Sequence, residues 1–288
     1  MEILSVTDLC KSYDDFRLED VSFTIDSGYI MGFIGANGAG KTTTLKSILG
    51  FSHKDSGSVR ILGKDFDQNE LELKQHIGFM FGGVDYYAKT KIKNITEVVR
   101  RFYANWDDSL YEAYMHRFSL DENKRPSELS QGMRIKYSLV LALSHHAKLL
   151  VFDEPTSGLD PVARDNLLEL FQELIEGGER SILFSTHITS DLEKCADYIT
   201  FIASGRIIES RTKDELLDVY SIVKGTNEQL AGVKSRLVAS KTNMFGFSGL
   251  IKSGDIRQED GLAIEAPSLE DIMIYYSMKE GTNEKSSF

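Results

Sequence analysis

Apolar positions along this chain fall into two spacings that alternate. Runs of strand length, such as "YIMGFIG", "AKLLVFDEP" and "RSILFST", are nearly continuous in aliphatic and aromatic residues, as in strands covered on both faces. Between them lie longer stretches of helix-like character, "KTTTLKSILGF", "PVARDNLLELFQELIEGG" and "SDLEKCADY". Strand, crossover helix and strand in repetition predict an α/β fold built on a largely parallel sheet. The opening "EILSVTDLCKSY" and "VSFTIDSG" alternate apolar with polar instead, which predicts an N-terminal antiparallel β subdomain. Residues 94–118 and 130–147 contain no strong strand and predict a mainly helical insertion, a subdomain spanning about 86–147. The character changes again after residue 212. A large unit, 1–212, is thus expected to be followed by a small α+β appendage, 213–288, in which Ser268 caps a last helix with Asp271 three residues on.

Composition narrows the partners more than the fold. With 41% hydrophobic and 27% charged residues, 288 in all, the chain suits a soluble globular protein. A formal net charge of −11 argues against general nucleic-acid binding, and none is expected. Cys10 and Cys195 make no metal or redox spacing and there is no secretory signal, so two inert thiols in a reducing cytoplasm are expected. No apolar run approaches the ~18 residues needed to span a bilayer. Any membrane connection must then pass through a partner.

The strongest chemical signal is "GANGAGKT", Gly35–Thr42, which fits G-x-x-x-x-G-K-[ST] at every fixed place. It follows an apolar strand and opens a helix, as a phosphate-binding loop requires. Gly35, Gly38 and Gly40, with Asn37 and Ala39 between them, let backbone N–H groups turn inward onto the phosphates of a nucleotide. Lys41 adds a point charge, the Thr42 hydroxyl can ligate Mg²⁺, and Thr43 either reaches the α-phosphate or caps the first turn. Further on, "KLLVFDEP" ends a strand on Asp153 and Glu154. Ligand sites of parallel sheets lie at such carboxyl ends. Asp153 would hold Mg²⁺ through water, and Glu154 would polarise the attacking water for hydrolysis.

The stretch "ELSQGM", 128–133, gains meaning only from this order. The phosphate loop, L-S-x-G-x, the acidic strand end, "SGLDP" and "STH" follow one another as in the ATP-binding cassette (ABC) ATPases, which residues 1–212 resemble. The resemblance implies a P-loop NTPase fold, ATP with Mg²⁺ as cofactors, and two cassettes packed head to tail. The signature, Ser130, Gln131 and Gly132, would then act in trans, with the Ser130 hydroxyl and Gly132 N–H meeting the γ-phosphate held by the other cassette. Read locally, Ser130 is a helix N-cap. Asp160 would touch the opposite cassette and help position Glu154, besides capping a helix that Pro161 starts. His187 would sense the γ-phosphate and hold the attacking water. Tyr13 would stack on the adenine, with Phe16 as the rival aromatic.

Two features depart from the usual pattern. Gln131 and Met133 replace residues of the common L-S-G-G-Q, and "IGFMFGGVDYY" puts Gly82 where a glutamine belongs. Either water fills that place, or Asp85 reaches in, or hydrolysis is slow. Phe81, Tyr86 and Tyr87 there could make an apolar docking surface. The chain further resembles ATPases of the ABC-2 exporter class, YtrB-like and phenol-soluble-modulin exporter types. This implies a cytoplasmic subunit, peripheral on the inner face of the membrane. It would dimerise with a second ABC ATPase and drive an integral-membrane subunit. The alternative is a soluble ATPase acting on ribosomes or another assembly.

Overall fold

Alternation shapes the N-terminal sheet of the computed structural model, which describes residues 1–81 and 87–285. In β1 (Glu2–Ser12) and β2 (Arg17–Asp26), paired antiparallel, every inward position is apolar: Leu4, Val6 and Leu9 on one strand, Leu18, Val21, Phe23 and Ile25 on the other. The next strand, β3 (Ile30–Ile34), is buried at all five positions and ends at the glycine-rich loop before α1 (Lys41–Ile48). The chain then returns to the first sheet through β4 (Ser56–Ile61) and β5 (Lys64–Asp65), giving the order β2-β1-β4-β5. Next, α2 (Phe66–Lys74), capped by Asp65, leads into β6 (Ile77–Phe81).

Residues 92–143 hold three α-helices and no strand, as the absence of strand patterning predicted. They form α3 (Ile92–Arg100), α4 (Asp108–Arg117) and α5 (Gln131–Leu143). Asp107 caps α4 through the Leu110 N–H at 2.9 Å, and Ser130 caps α5. Inside the bundle the Thr96 hydroxyl meets the Tyr137 hydroxyl at 2.8 Å, and Tyr137 donates to the Ile92 carbonyl at 3.0 Å. These buried hydroxyls are therefore satisfied.

The sheet resumes with β7 (Leu149–Asp153), then α6 (Pro161–Ile175), β8 (Ser181–Thr186), α7 (Thr189–Cys195), β9 (Tyr198–Ala203) and β10 (Arg206–Thr212). Its strand order is β10-β9-β3-β8-β7-β6, parallel throughout except for the edge pair β10–β9. Phe171 of α6 fixes its helix on the sheet, with its ring centroid 5.3 Å from Phe152 and 5.6 Å from Phe184. Each such ring removed from water contributes about 1.5–3 kcal/mol. Burial also pushes the Cys195 thiol up to about 12, consistent with the inert cysteine expected there.

Thr212 caps α8 (Lys213–Val219), which leads to β11 (Tyr220–Gly225), α9 (Asn227–Val233), β12 (Leu237–Asn243), β13 (Gly246–Lys252) and β14 (Ala263–Glu265). These strands form a third, antiparallel sheet in the order β12-β13-β11-β14. The last helix, α10 (Leu269–Lys285), begins at the expected reciprocal cap. The Asp271 N–H donates to Ser268 Oγ at 3.1 Å, and the Ser268 N–H to the Asp271 carboxylate at 3.0 Å. Leu269, Ile272, Tyr275 and Tyr276 share one face and are buried. Tyr276 also joins the Tyr220 hydroxyl, at 2.7 Å, which in turn donates to the Glu209 carboxylate on β10 at 3.1 Å.

His145, just past α5, is buried and stacked flat on Tyr103 at 3.7 Å, with Nδ1 donating to the Gln75 carbonyl at 3.2 Å. Burial depresses its pKa from 6.5 to about 4. A depressed histidine contributes stability that is complete above its unfolded value and is lost as pH falls through the folded one. The wild type should therefore lose up to about 3 kcal/mol more than His145→Phe between pH 7 and pH 4, at 1.36 kcal/mol per pH unit. Urea denaturation of both chains across that range measures the difference.

Candidate functional site

Three strand ends and one helix start meet at the carboxyl edge of the parallel sheet. The loop after β3 reaches the N-terminus of α1 through two glycines whose backbone no other residue adopts readily. Gly38 has φ 82° in open space, and Gly40 has φ 112°. A Cβ on Gly40 would lie 2.8 Å from Cζ of Phe16 and 2.7 Å from Leu18 Cδ2. Lys41, with only 6% of its surface exposed, turns back over this loop. Its Nζ donates to the Gly35 carbonyl at 2.8 Å and to the Ala36 carbonyl at 3.2 Å.

The Asp153 carboxylate, at the end of β7, binds one hydroxyl on each oxygen. Thr42 Oγ1 donates to Oδ2 at 2.7 Å, and Ser185 Oγ donates to Oδ1 at 2.6 Å. Ser185 also receives the Glu154 N–H on its Oγ at 3.0 Å, and its own carbonyl lies 3.2 Å from the same nitrogen. Glu154 is thus held with φ 52°, a left-handed conformation uncommon outside glycine and enriched at functional positions. Its carboxylate points between two side-chain nitrogens, with Oε1 3.4 Å from Lys41 Nζ and Oε2 2.8 Å from His187 Nδ1. A carboxylate has about four lone-pair sites, so these contacts leave room to accept a proton from water.

Lys41, Thr42, Glu154 and His187 border a cavity of about 710 Å³ lined also by Phe16, Asn37, Thr43 and Ser157. Of the two candidate aromatics, Phe16 is in the wall and Tyr13 is not. The Tyr13 hydroxyl lies 2.8 Å from Ser52 Oγ, with Lys11 over its ring. Ala39 is buried beside the loop, and the hydroxyl that returns to the first turn of α1 is that of Thr44, 2.9 Å from the Gly40 carbonyl. The inward-turned loop and the helix start suit phosphate oxygens. The Thr42 and Asp153 oxygens suit a hard cation such as Mg²⁺, which needs few protein ligands when phosphates supply the rest.

Ser130, Gln131 and Gly132 do not border this cavity. At the start of α5 Ser130 and Gln131 are exposed and Gly132 is half-buried, and Ser130 Oγ accepts the Met133 N–H at 3.3 Å. Asp160 caps α6, accepting the Val162 and Ala163 N–H groups at 3.0 Å each. Gly82, Asp85 and Tyr86 lie outside the described residues, so the replacement for the missing glutamine does too. Phe81 and Tyr87 are described, and both line a second, largely apolar cavity of about 400 Å³ with Phe79, Val99, Phe102 and Leu141.

Two members of the site escape a reading of residue types. Ser185 resembles any strand serine, and its only clue is its place two residues before His187. Asp191, on α7, is 1% exposed and accepts the Thr156 hydroxyl at 2.6 Å, with Arg164 Nε of α6 at 3.8 Å. Burial raises its pKa, against the pull of Thr156 and Arg164. It braces the loop behind Glu154.

Comparison with known proteins follows the same lines. The ABC transporter family matches residues 18–157. The ABC transporter ATP-binding protein YtrB of Bacillus subtilis is 32% identical, over 76% of this chain and 75% of its own. The bacitracin transport ATP-binding protein BcrA of Bacillus licheniformis is 30% identical over 74% of this chain and 71% of its own. The Nod factor export ATP-binding protein I of Sinorhizobium fredii is 31% identical over 96% of this chain and 86% of its own. Among solved structures, an ATP-binding subunit of an ABC transporter superposes with a TM-score of 0.67 at 29% identity, over 74% of this chain and 91% of that one.

Ser185→Ala removes one donor from Asp153 and one acceptor from the Glu154 N–H. The variant should lose about 1–3 kcal/mol of stability in urea denaturation. Its ATP turnover at saturation should fall at least ~10-fold, with a smaller change in half-saturating ATP. Unchanged turnover would detach Ser185 from the placement of Glu154.

Proposed function

The chain belongs to the ATP-binding proteins of ABC transporters and is an ATPase, and from that premise we propose that it powers an exporter by ATP-driven dimerisation. ABC ATP-binding subunits dimerise and work with a transmembrane subunit. In this reading residues 1–212 form the nucleotide-binding unit, and 213–288 an accessory unit whose sheet and last helix pack beside β10. ATP lies on the loop Gly35–Gly40, including Asn37 and Ala39, with Lys41 and Thr43 at its phosphates. The adenine stacks on an aromatic of the β1–β2 turn, either Phe16 or a repositioned Tyr13. Thr42 and Asp153 would hold Mg²⁺, Asp153 through water, and bound Mg²⁺ supplies charge neutralisation on the phosphate oxygens.

Glu154 accepts the proton of the attacking water, and His187 donates to hold that carboxylate and the water in place. The observation that carries this reading is the contact between Glu154 and His187 at 2.8 Å, beside Lys41. Ser130 and Gly132 do not border the cavity of their own chain and fit the role of closing on the other cassette's nucleotide, with Asp160 alongside.

The second cavity supplies the transmission surface. Phe102 and Tyr87 expose 72% and 68% of their surface there, beside the rings of Phe51, Phe79 and Phe81. Apolar exposure of this kind marks an interaction site. No helix among the described residues is long and apolar enough to cross a membrane. A short cytoplasmic helix of an ABC-2-type membrane subunit fits the groove, which would keep this chain on the inner face of the membrane. By name one relative serves bacitracin transport and another Nod factor export, and export of a peptide, antimicrobial or lipid cargo is proposed for this chain.

Steady-state ATP hydrolysis by wild type and Glu154→Gln, with light scattering in ATP and Mg²⁺, tests the scheme. Turnover should fall at least ~100-fold in the variant, which should accumulate as a dimer. A monomer in both chains would exclude the homodimeric site, and undiminished turnover would exclude Glu154 as the base.

A further inference from the structure

A polar side chain of the signature reaches the loop that lines the chain's own nucleotide cavity. Gln131, the first residue of α5, donates from Nε2 to the Ser157 carbonyl. Its amide lies over Gly158, where a Cβ would come within 2.6 Å of Oε1 and 2.9 Å of Nε2. Gly158 has φ 71°, so the glycine both permits the turn and makes room for the amide. Next door, Leu159 Cδ2 lies 3.6 Å from where a Cβ on Gly132 would be. The start of α5 and residues 157–159 therefore pack as one piece.

The other end of that loop is in the cavity. Ser157 lines it, and the Ser157 N–H donates to the Glu154 carbonyl at 3.2 Å. A continuous path of contacts runs from Glu154 through Ser157 and the Gln131 amide to Ser130 and Gly132, which themselves lie outside the cavity. A glycine at 131, as in L-S-G-G-Q, has no side chain with which to make this link.

We propose that Gln131 is a positioning residue that couples the two nucleotide sites of the dimer, setting the signature offered to the partner according to the state of the chain's own site. The proposal rests on the head-to-tail reading above. A displacement of Ser157, as the contacts of Glu154 change, moves the acceptor of the Gln131 amide and with it the first turn of α5. Coupling of ~5-fold or more between sites is the ordinary range for such a link.

The test uses the full chain with ATP and Mg²⁺, comparing wild type with Gln131→Met and Gln131→Glu. Both replacements keep the length of the side chain, and neither can donate to the Ser157 carbonyl. Gln131 is exposed, so both variants should melt with the wild type. The Hill coefficient for ATP turnover should fall from about 2 to about 1, and half-saturating ATP should rise ~5-fold, with a smaller fall in kcat. Cooperativity retained in both variants would overturn the proposal, as would a non-cooperative wild type that nonetheless dimerises. Light scattering of each chain in the Glu154→Gln background separates these outcomes from a failure to dimerise, which would overturn the head-to-tail reading and this proposal together.

Discussion

The Asp153 carboxylate takes one hydroxyl hydrogen from Thr42 and one from Ser185, and so fastens the start of α1 to the ends of β7 and β8. Those segments are far apart in sequence, and the parallel sheet brings them together because its strands all deliver their carboxyl ends to one edge. Ser185 then turns its remaining capacity to the Glu154 N–H. Glu154 is held there with a left-handed backbone, and from it the carboxylate meets Lys41 and His187. Removing any one of the three hydroxyl or carboxylate partners leaves a polar group unpaired near the core, where the loss is largest.

Much of this arrangement was legible in the residues because backbone physics dictated their types. Gly38 and Gly40 sit at positive φ, which few other residues tolerate, so a motif search finds them. The buried strands read as continuous apolar runs because both faces of their sheet are covered, one by helices such as α5 and α6 and the other by α1 and the N-terminal sheet. Ser185, Asp191 and the Gln131–Ser157 contact were hidden for the opposite reason. A serine or glutamine has no intrinsic type-level signal, and its partners become neighbours only after the sheet and helices assemble. The choice between Tyr13 and Phe16 stayed open for the same cause. Both occupy one turn with nearly equal composition, and tertiary packing alone puts Phe16 beside Gly40.

The C-terminal sheet was visible as a change of texture, without register. Its strands are short, and several positions of β12 are only half-buried, so period-two patterning is weak. Apolar residues of α10 and β11 anchor it to the main core, and a polar cluster adds to them. Tyr276 of α10, Tyr220 of β11 and Glu209 of β10 share hydrogens in the interior, and the Tyr276 ring meets Phe201 edge-on at 5.2 Å. A network of this type specifies one docking pose, since any slip leaves a buried tyrosine hydroxyl without a partner.

The helix α5 carries Ser130 and Gly132 at its first turn and contributes Ser138, Leu141 and Ala142 to the apolar groove two turns on. Its 13 residues make a rod about 20 Å long. A tilt of about 5° applied at the groove end would swing the opposite tip by roughly 2 Å over that length, more than half the length of a hydrogen bond. Under the proposed head-to-tail arrangement the rod would act as a lever, with its load at the partner cassette's phosphate and its effort at the groove. In that arrangement occupancy of the groove and closure on the nucleotide would depend on each other through the rigidity of one helix.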